Sequence, residues 1–354
     1  MKALLLGDLC PIGPSTALFA AGDVAGLFTD TVGLFRGNDI NFVNLECALT
    51  ESENRIKKFG PNLKAPAQTA QVMKALGVTC CGLSNNHVFD FGIEGAEDTL
   101  AALDAAGIDW TGFGQNAPDS RRDYIVEKNG ERVAIITVCE HEYSYALEDR
   151  MGSREYDEYL TLSDIRRAKA SCSRVIVIYH GGKELCQYPS PRLRRAFHAM
   201  AESGADVILG QHSHCISCYE EHAGCHILYG QGNFHFSRLP DSKDPEMWDH
   251  CLAVHYDTLT GEIAFTPVVN EGAAVTLTKG EKKEEILAGF ARRSASLRDG
   301  SWKEGWHAFC ESRREHYEQA IRECGDRFGH YLDCEAHTDV WRELFPTYNQ
   351  TNER

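Results

Sequence analysis

At 354 residues, with 43% apolar and 25% charged residues, the chain has the composition of a globular protein and enough material for a large core, in one domain or two. A formal net charge of −16 argues against general nucleic-acid binding and against docking on an anionic membrane surface. No run approaches the ~18 consecutive apolar residues of a membrane span, and Met1-Lys2-Ala3 leads straight into an apolar run without the charged start and cleavage site of a signal peptide. An anionic substrate would then need local positive charge, which bound metal ions supply. The fourteen cysteines are scattered, so they read as buried thiols of a reduced, cytoplasmic protein. Cys215-x-x-Cys218 with Cys225 lacks the second spaced pair of a zinc site and is read the same way.

In chain order, Ala3-Leu4-Leu5-Leu6-Gly7-Asp8 predicts a strand with an acid at its exit. Ile40 to Glu46 predicts a second strand, ending in Asn44 and Glu46 on one face. Residues 51–63 are polar and read as a loop. Gln68 to Leu76 predicts a helix closed by Gly77. Val78 to Ser84 is a third strand, followed directly by Asn85-Asn86-His87 and Asp90-Phe91-Gly92. Glu94 to Ala106 predicts a helix stopped by Gly107, and Ile108 to Gly114 a short strand. Tyr124–Val126 and Val133–Val138 flank Lys128-Asn129-Gly130-Glu131, a β-hairpin signal. Residues 141–160 read as an acidic, tyrosine-rich loop. A short helix over Ser163–Ala170, a buried strand Val175–Tyr179 ending at His180, and a helix Pro191–Glu202 come next. Ala205 to Leu209 predicts another strand, leading into Gly210-Gln211-His212-Ser213-His214. If that strand continues, its alternation points His212 and His214 the same way. Ile227 to Phe234 reads as one strand with a glycine-rich exit, and Leu252–Tyr256 with Ile263–Val269 as a pair joined across Thr260-Gly261. Residues 281–325 are charged and helical in pattern, with Trp302, Trp306, Phe309 and Cys310 on one apolar face, more plausibly for packing than for substrate.

Five strand exits thus carry metal-competent residues: Asp8, Asn44 with Glu46, Asn86 with His87, His180, and His212 with His214. Ligands of α/β sheets gather at the carboxyl ends of the strands. Carboxylate, amide oxygen and imidazole together suit one or two divalent metals, with Mn, Fe or Zn favoured over Mg or Ca. Taken singly the residues have other readings. Glu46 could pair a buried base, Asn86 could cap a turn, His87 could be a structural histidine, and Glu184 could support His180 or face solvent. Asn44 is expected to orient Glu46, and Asn233 to shape the loop around the site.

The motifs Gly-Asp, Asn-Leu-Glu, Asn-Asn-His with Asp-x-Gly, His-x-Gly-x-Glu, Gly-x-His-x-His and Gly-Asn-Phe occur in that order from Leu5 to Phe236. In this the chain resembles the CapA family of poly-gamma-glutamate capsule-synthesis proteins, in the calcineurin-like metallophosphatase superfamily. The resemblance implies a four-layer α/β/β/α sandwich, read here as residues 1–275; a composition shift near residue 280 separates from it a C-terminal helical extension over 276–354 that no motif covers. It implies a dinuclear site. Asp8 and His214 would bind one metal, Asn86, His180 and His212 the other, with Glu46 bridging and His87 as general acid. Cys10 stands where the superfamily has a histidine, so it is either a ligand or a buried thiol. His180-Gly181-Gly182 replaces the family's His-Trp-Gly. The expected activity is hydrolysis of a phosphoester, or less readily an amide, on a small or polymeric anionic substrate. The alternatives are an accessory role with the capsule-synthesis machinery and a metal-retaining binding module.

Overall fold

The computed structural model describes residues 1–140, 142–237 and 245–346. The strands of its two large sheets are β1 (Lys2–Cys10), β2 (Ile40–Leu45), β3 (Cys80–Gly82), β4 (Asp109–Thr111), β5 (Tyr124–Lys128), β6 (Glu131–Cys139), β7 (Arg174–His180), β8 (Val207–Gln211), β9 (Tyr219–His222), β10 (Cys225–Leu228), β11 (Asn233–Phe236), β12 (His250–Asp257), β13 (Ile263–Glu271) and β14 (Ala274–Leu277). They build two large sheets. One runs β14-β13-β12-β1-β2-β3-β4, with β11 also paired to β1, and the other runs β9-β10-β8-β7-β6-β5. The centre of each sheet is parallel: β1 through β4 in the first, and β6, β7, β8 and β10 in the second.

Alternation along single strands sets the layers. In β1, Ala3 and Leu5 join the core between the sheets, while Leu4 and Leu6 join the core on the outer face. In β7, Ile176 and Ile178 face the other sheet, while Val175, Val177 and Tyr179 face outward. Apolar residues therefore run continuously along these strands, because both faces are covered. Helices α1 (Gln68–Leu76) and α2 (Gly92–Ala106) cover the first sheet through Val72, Met73, Leu76, Ala96 and Leu103. Helices α3 (Glu158–Lys169) and α4 (Pro191–Glu202) cover the second through Ile165, Phe197 and Met200. The result is the expected four-layer α/β/β/α sandwich. The C-terminal helices α5 (Gly280–Asp299), α6 (Trp302–Glu323) and α7 (Glu335–Leu344) share these cores: Trp302, Trp306, Cys310, Tyr317 and Val340 pack with α4, and Ile286 and Phe290 reach the core between the sheets. Residues 347–354, the end of the predicted extension, and His141 in the predicted loop lie outside the described residues. Among the described residues, no helix is long and apolar enough to cross a membrane.

Several elements differ from expectation. The run Ile227–Phe234 is not one strand. Its first half is β10 of the second sheet, its second half is β11 of the first, and the chain crosses between sheets at Gly230-Gln231-Gly232. The crossing is held by buried glutamines: Gln231 Nε2 donates to the carbonyls of Leu5 and Leu252, and Gln211 Nε2 to the carbonyl of Leu6. Gly232 makes the turn at φ +85°, where a Cβ would strike the carbonyl of His250. The strand expected over Ile108–Gly114 breaks at Gly112, which has φ +79°. Helix α3 begins at Glu158 rather than Ser163, because Asp157 caps it by accepting from Leu160 N at 2.7 Å. The helical stretch expected over 281–325 divides at Gly300, in the left-handed conformation.

Candidate metal centre

The carboxyl ends of β1, β2, β7 and β8, and the loop after β3, meet at one place between the sheets. Asp8 lies where β1 changes register against β2 and β11, the kind of irregularity that re-aims a side chain. Glu46 follows β2 directly, and His180 ends β7. His212 and His214 do not sit on a strand. β8 ends at Gln211, and both histidines adopt left-handed backbone, with φ +74° and +53°. Alternation therefore does not bring the two imidazoles together. A strained loop does, at roughly 1–3 kcal/mol per residue. The surroundings hold that loop in place. His212 N donates to Asp8 Oδ2 at 3.1 Å, and the His214 ring lies 4.3 Å from the Trp248 ring and 5.2 Å from Phe236.

Asp8, Glu46, His180, His212 and His214 are all buried. Their ligand atoms fall into two groups within 4.8 Å, Asp8-Glu46-His180 and Glu46-His212-His214, and Glu46 belongs to both. The shared carboxylate fits the bridging place expected of it, but the division differs from the one the resemblance implies, which puts His180 with His212. His180 Nε2 is 3.2 Å from Glu46 Oε1 and 2.9 Å from Asn86 Oδ1, so the amide oxygen of Asn86 also points at the cluster. His214 Nδ1 is 2.8 Å from Asn233 Oδ1, while Asn233 Nδ2 donates to the carbonyl of Trp248. This places a proton on His214 Nδ1 and turns Nε2, 3.9 Å from Glu46 Oε1, toward the cluster. Asn44 does not orient Glu46. Its Nδ2 donates to Asp8 Oδ1 at 2.8 Å and lies 3.2 Å from His180 Nδ1. Asn85 pins the β3 exit by donating to Asn44 and Leu45 and accepting from the backbone of His87 and Val88.

The electrostatics mark a cation site. Burial, with Glu46 nearby, pushes Asp8 up to about 6, and burial raises Glu46 as well. Burial drops His180 to about 4. At His214 burial also disfavours the charge, but the facing carboxylates of Glu46 and Asp8 outweigh it and hold the imidazole above its ordinary range. Neither carboxylate oxygen of Glu46 has a hydrogen-bond partner among the described residues, although both are buried. Two buried carboxylates facing imidazole nitrogens and an amide oxygen fit one or more divalent cations.

His87 stands beside this cluster. Its Nδ1 is 2.7 Å from Asp90 Oδ2, so the carboxylate holds the ring by that nitrogen. Asp90 also accepts from Leu63 N at 2.6 Å and forms a buried ion pair with Lys58, whose Nζ donates to the carbonyl of Asn86 at 2.9 Å and lies 3.1 Å from His87 Nδ1. Lys58 belongs to the stretch read from sequence only as a polar loop. The three-residue spacing of His87 and Asp90 was a usable signal, but nothing local marks a buried lysine in a coil. Glu184 is half-exposed, and its Oε1 lies 4.0 Å from His212 Nε2. Cys10 joins neither ligand group. It is a buried neighbour of Cys47, and burial holds its thiol well above the ordinary range, so it matches the buried-thiol reading. Cys215, Cys218 and Cys225 are likewise buried thiols.

The family described as bacterial capsule synthesis protein PGA_cap matches residues 2–238. The capsule biosynthesis protein CapA of Bacillus anthracis is 31% identical over 248 residues, covering 67% of this chain and 60% of that protein. The PGA biosynthesis protein CapA of Bacillus subtilis (strain 168) is 26% identical over 260 residues, covering 72% of this chain and 68% of its own. The chain thus spans 60% of the length of the B. anthracis relative. A solved 5'-nucleotidase precursor from Thermus thermophilus aligns with a TM-score of 0.42 at 16% identity, over 82% of this chain and 59% of its own.

Proposed function

The chain belongs to the bacterial capsule synthesis protein family, and on that premise we propose that it is a metal-dependent hydrolase that cleaves a phosphoester of an anionic substrate. The observation that carries this reading is Glu46: a buried carboxylate, shared by two ligand groups, with no hydrogen-bond partner among the described residues. Asp8, Glu46, His180, His212 and His214, with Asn86, would hold two divalent ions, of Mn, Fe or Zn. Bound there, such ions supply Lewis-acid polarisation of the ester and a coordinated water of lowered pKa. The protein's own residues do the rest. Asn233 and Asn44 fix the rings of His214 and His180. Asp90 holds His87 by Nδ1 so that Nε2 can deliver a proton to the leaving oxygen. Fourteen cysteines, all as thiols, suit the reducing cytoplasm.

The test is turnover of a generic phosphodiester and phosphomonoester in added manganese. His87→Asn should keep the metal and lose about 10²–10⁴-fold in kcat. Turnover by wild type that survives in His87→Asn at full rate would remove His87 from the chemistry. No turnover by wild type with metal bound would favour a second reading. In that reading, supported by the names of the two Bacillus relatives, the metal centre serves capsule or poly-gamma-glutamate synthesis as part of an assembly. It predicts that the tagged protein co-purifies with synthesis machinery from its own cells.

A further inference from the structure

Lys58 reaches His87 from a segment without helix or strand, so contacts other than a backbone ladder must hold it there. On its inner side the loop is tied to the His87–Asp90 turn. Ile56 N donates to the Asp90 carbonyl at 3.0 Å, Leu63 N to Asp90 Oδ2 at 2.6 Å, and Asn62 Nδ2 to the carbonyls of Ile56 and Asp90 at 3.2 and 3.0 Å. On its outer side the two neighbours of Lys58 turn to the C-terminal segment. The Phe59 ring stacks on the His330 ring, with centroids 4.4 Å apart and planes 19° from parallel, and Lys57 Nζ lies 3.5 Å from Asp326 Oδ2. The Lys58 side chain between them is 2% exposed and points inward to Asp90 and His87. The Lys57–Asp326 pair is almost fully exposed and holds little, so the stack is the stronger grip.

His330 is itself fixed. It ends a short helix, Asp326–His330, between α6 and α7. Its Nδ1 lies 3.0 Å from the Tyr143 hydroxyl in the segment after β6, and its ring lies 4.8 Å from that of His337 on α7. His337 Nδ1 lies 3.0 Å from the Tyr317 hydroxyl of α6 and 3.5 Å from Lys183 Nζ, in the segment after His180. Tyr317 and His337 are buried, so this series of contacts stands on the packed C-terminal helices. The C-terminal segment thus touches segments that follow β2, β6 and β7, at the strand ends where the metal centre lies. We propose that Asp326–His337 is a positioning element for His87, in which the His330–Phe59 stack seats Lys58 against Asp90 and His87. Without the stack, Lys58 follows its loop toward water, Asp90 loses its counter-ion, and the His87 ring loses the contact that orients it. The effect on rate rests on the hydrolase reading; the effect on the loop does not.

The experiment compares full-length wild type with Phe59→Ala, His330→Ala and Phe59→Tyr, which keeps the ring. Phe59 is 40% exposed and the His330 side chain 24%, so these substitutions leave the core intact. Hydrogen exchange read by mass spectrometry follows the loop without turnover. Peptides covering residues 56–63 and 87–90 should exchange about 2–10-fold faster in both alanine variants, the range an aromatic pair supports, and at the wild-type rate in Phe59→Tyr. Exchange at the wild-type rate in the alanine variants overturns the proposal. Kinetics in added manganese then separate positioning from mere stability. A general acid matters for an alkyl phosphoester, whose leaving oxygen needs a proton, and not for a nitrophenyl ester, whose leaving group departs as the anion. Both alanine variants should lose at least about fivefold in kcat on the alkyl ester, keep it on the nitrophenyl ester, and lose nothing further in a His87→Asn background. Equal loss on both esters, no loss on the alkyl ester, or a further loss in the His87→Asn background overturns the role. If wild type turns over neither ester, the hydrolase reading fails, and exchange at residues 87–90 decides: faster exchange in the alanine variants upholds the positioning of His87, and the wild-type rate overturns it.

Discussion

Replacing Lys58 with methionine removes the positive half of the Lys58–Asp90 pair while keeping the aliphatic stem. The Lys58 side chain is 2% exposed and Asp90 is fully buried, so water cannot replace the lost cation. Asp90 would keep its contacts to His87 Nδ1 and Leu63 N, and Asn86 would lose the donor to its carbonyl. Removing one partner of a buried ion pair costs about 3–5 kcal/mol, and the two contacts Asp90 retains place this case near the lower end, at ~3 kcal/mol. Urea denaturation of wild type, Lys58→Met, Asp90→Asn and the double variant measures it. The double variant should be more stable than the sum of the single losses predicts, with a coupling of about 1–3 kcal/mol. A loss under ~1 kcal/mol for Lys58→Met, or strict additivity of the two substitutions, would refute the idea that this pair anchors the 51–63 loop to His87.

Asn233→Ala frees the His214 ring and should weaken metal affinity about 10–100-fold with little change in fold, measured by competition with a chelating dye; unchanged affinity would remove Asn233 from the site's support. Gly232→Ala forces a side chain into left-handed backbone against the His250 carbonyl and should cost at least about 2 kcal/mol in the same urea assay, whereas wild-type stability would argue against the crossing as described. Glu220 is held down to about 2: burial opposes this, but Arg194, His198 and Tyr229 outweigh it. Because its folded-state pKa lies below the ordinary 4.5, its contribution is full above about pH 4.5 and is lost as pH falls toward 2. Glu220→Gln should therefore lower stability at pH 7 and flatten the decline between pH 4.5 and 2; an unchanged acid slope would contradict the cluster.

Much of the sandwich was legible because burial on both faces writes long apolar strands, and because helix ends carry their own chemistry. Gln68–Leu76 with Gly77 and Pro191–Glu202 stand where the pattern puts them, and Asn129 and Gly130 take the left-handed conformations their hairpin needs. The clustering of the strand-exit residues was legible from their types and order. Their geometry was not. Strand alternation alone would pair the two imidazoles, whereas the backbone at His212 and His214 is set by tertiary contacts to Asp8, Asn233 and Trp248. Sheet membership is also non-local. Both halves of Ile227–Phe234 are apolar, and only the pairing of β11 with β1 shows that the chain changes sheets between them. Lys58 was missed because a buried cation in a coil has no period. The stripe Trp302, Trp306 and Cys310 was read as packing, and it packs.

The most direct test of the central claim is elemental analysis of the protein purified without chelator, wild type beside His212→Ala/His214→Ala, with phosphoester turnover followed on the same samples. A metal centre that hydrolyses predicts two divalent ions per wild-type chain with turnover, and loss of both in the variant. Equal metal content in the two proteins, or a metal-free wild type that stays inactive in added manganese, would contradict it.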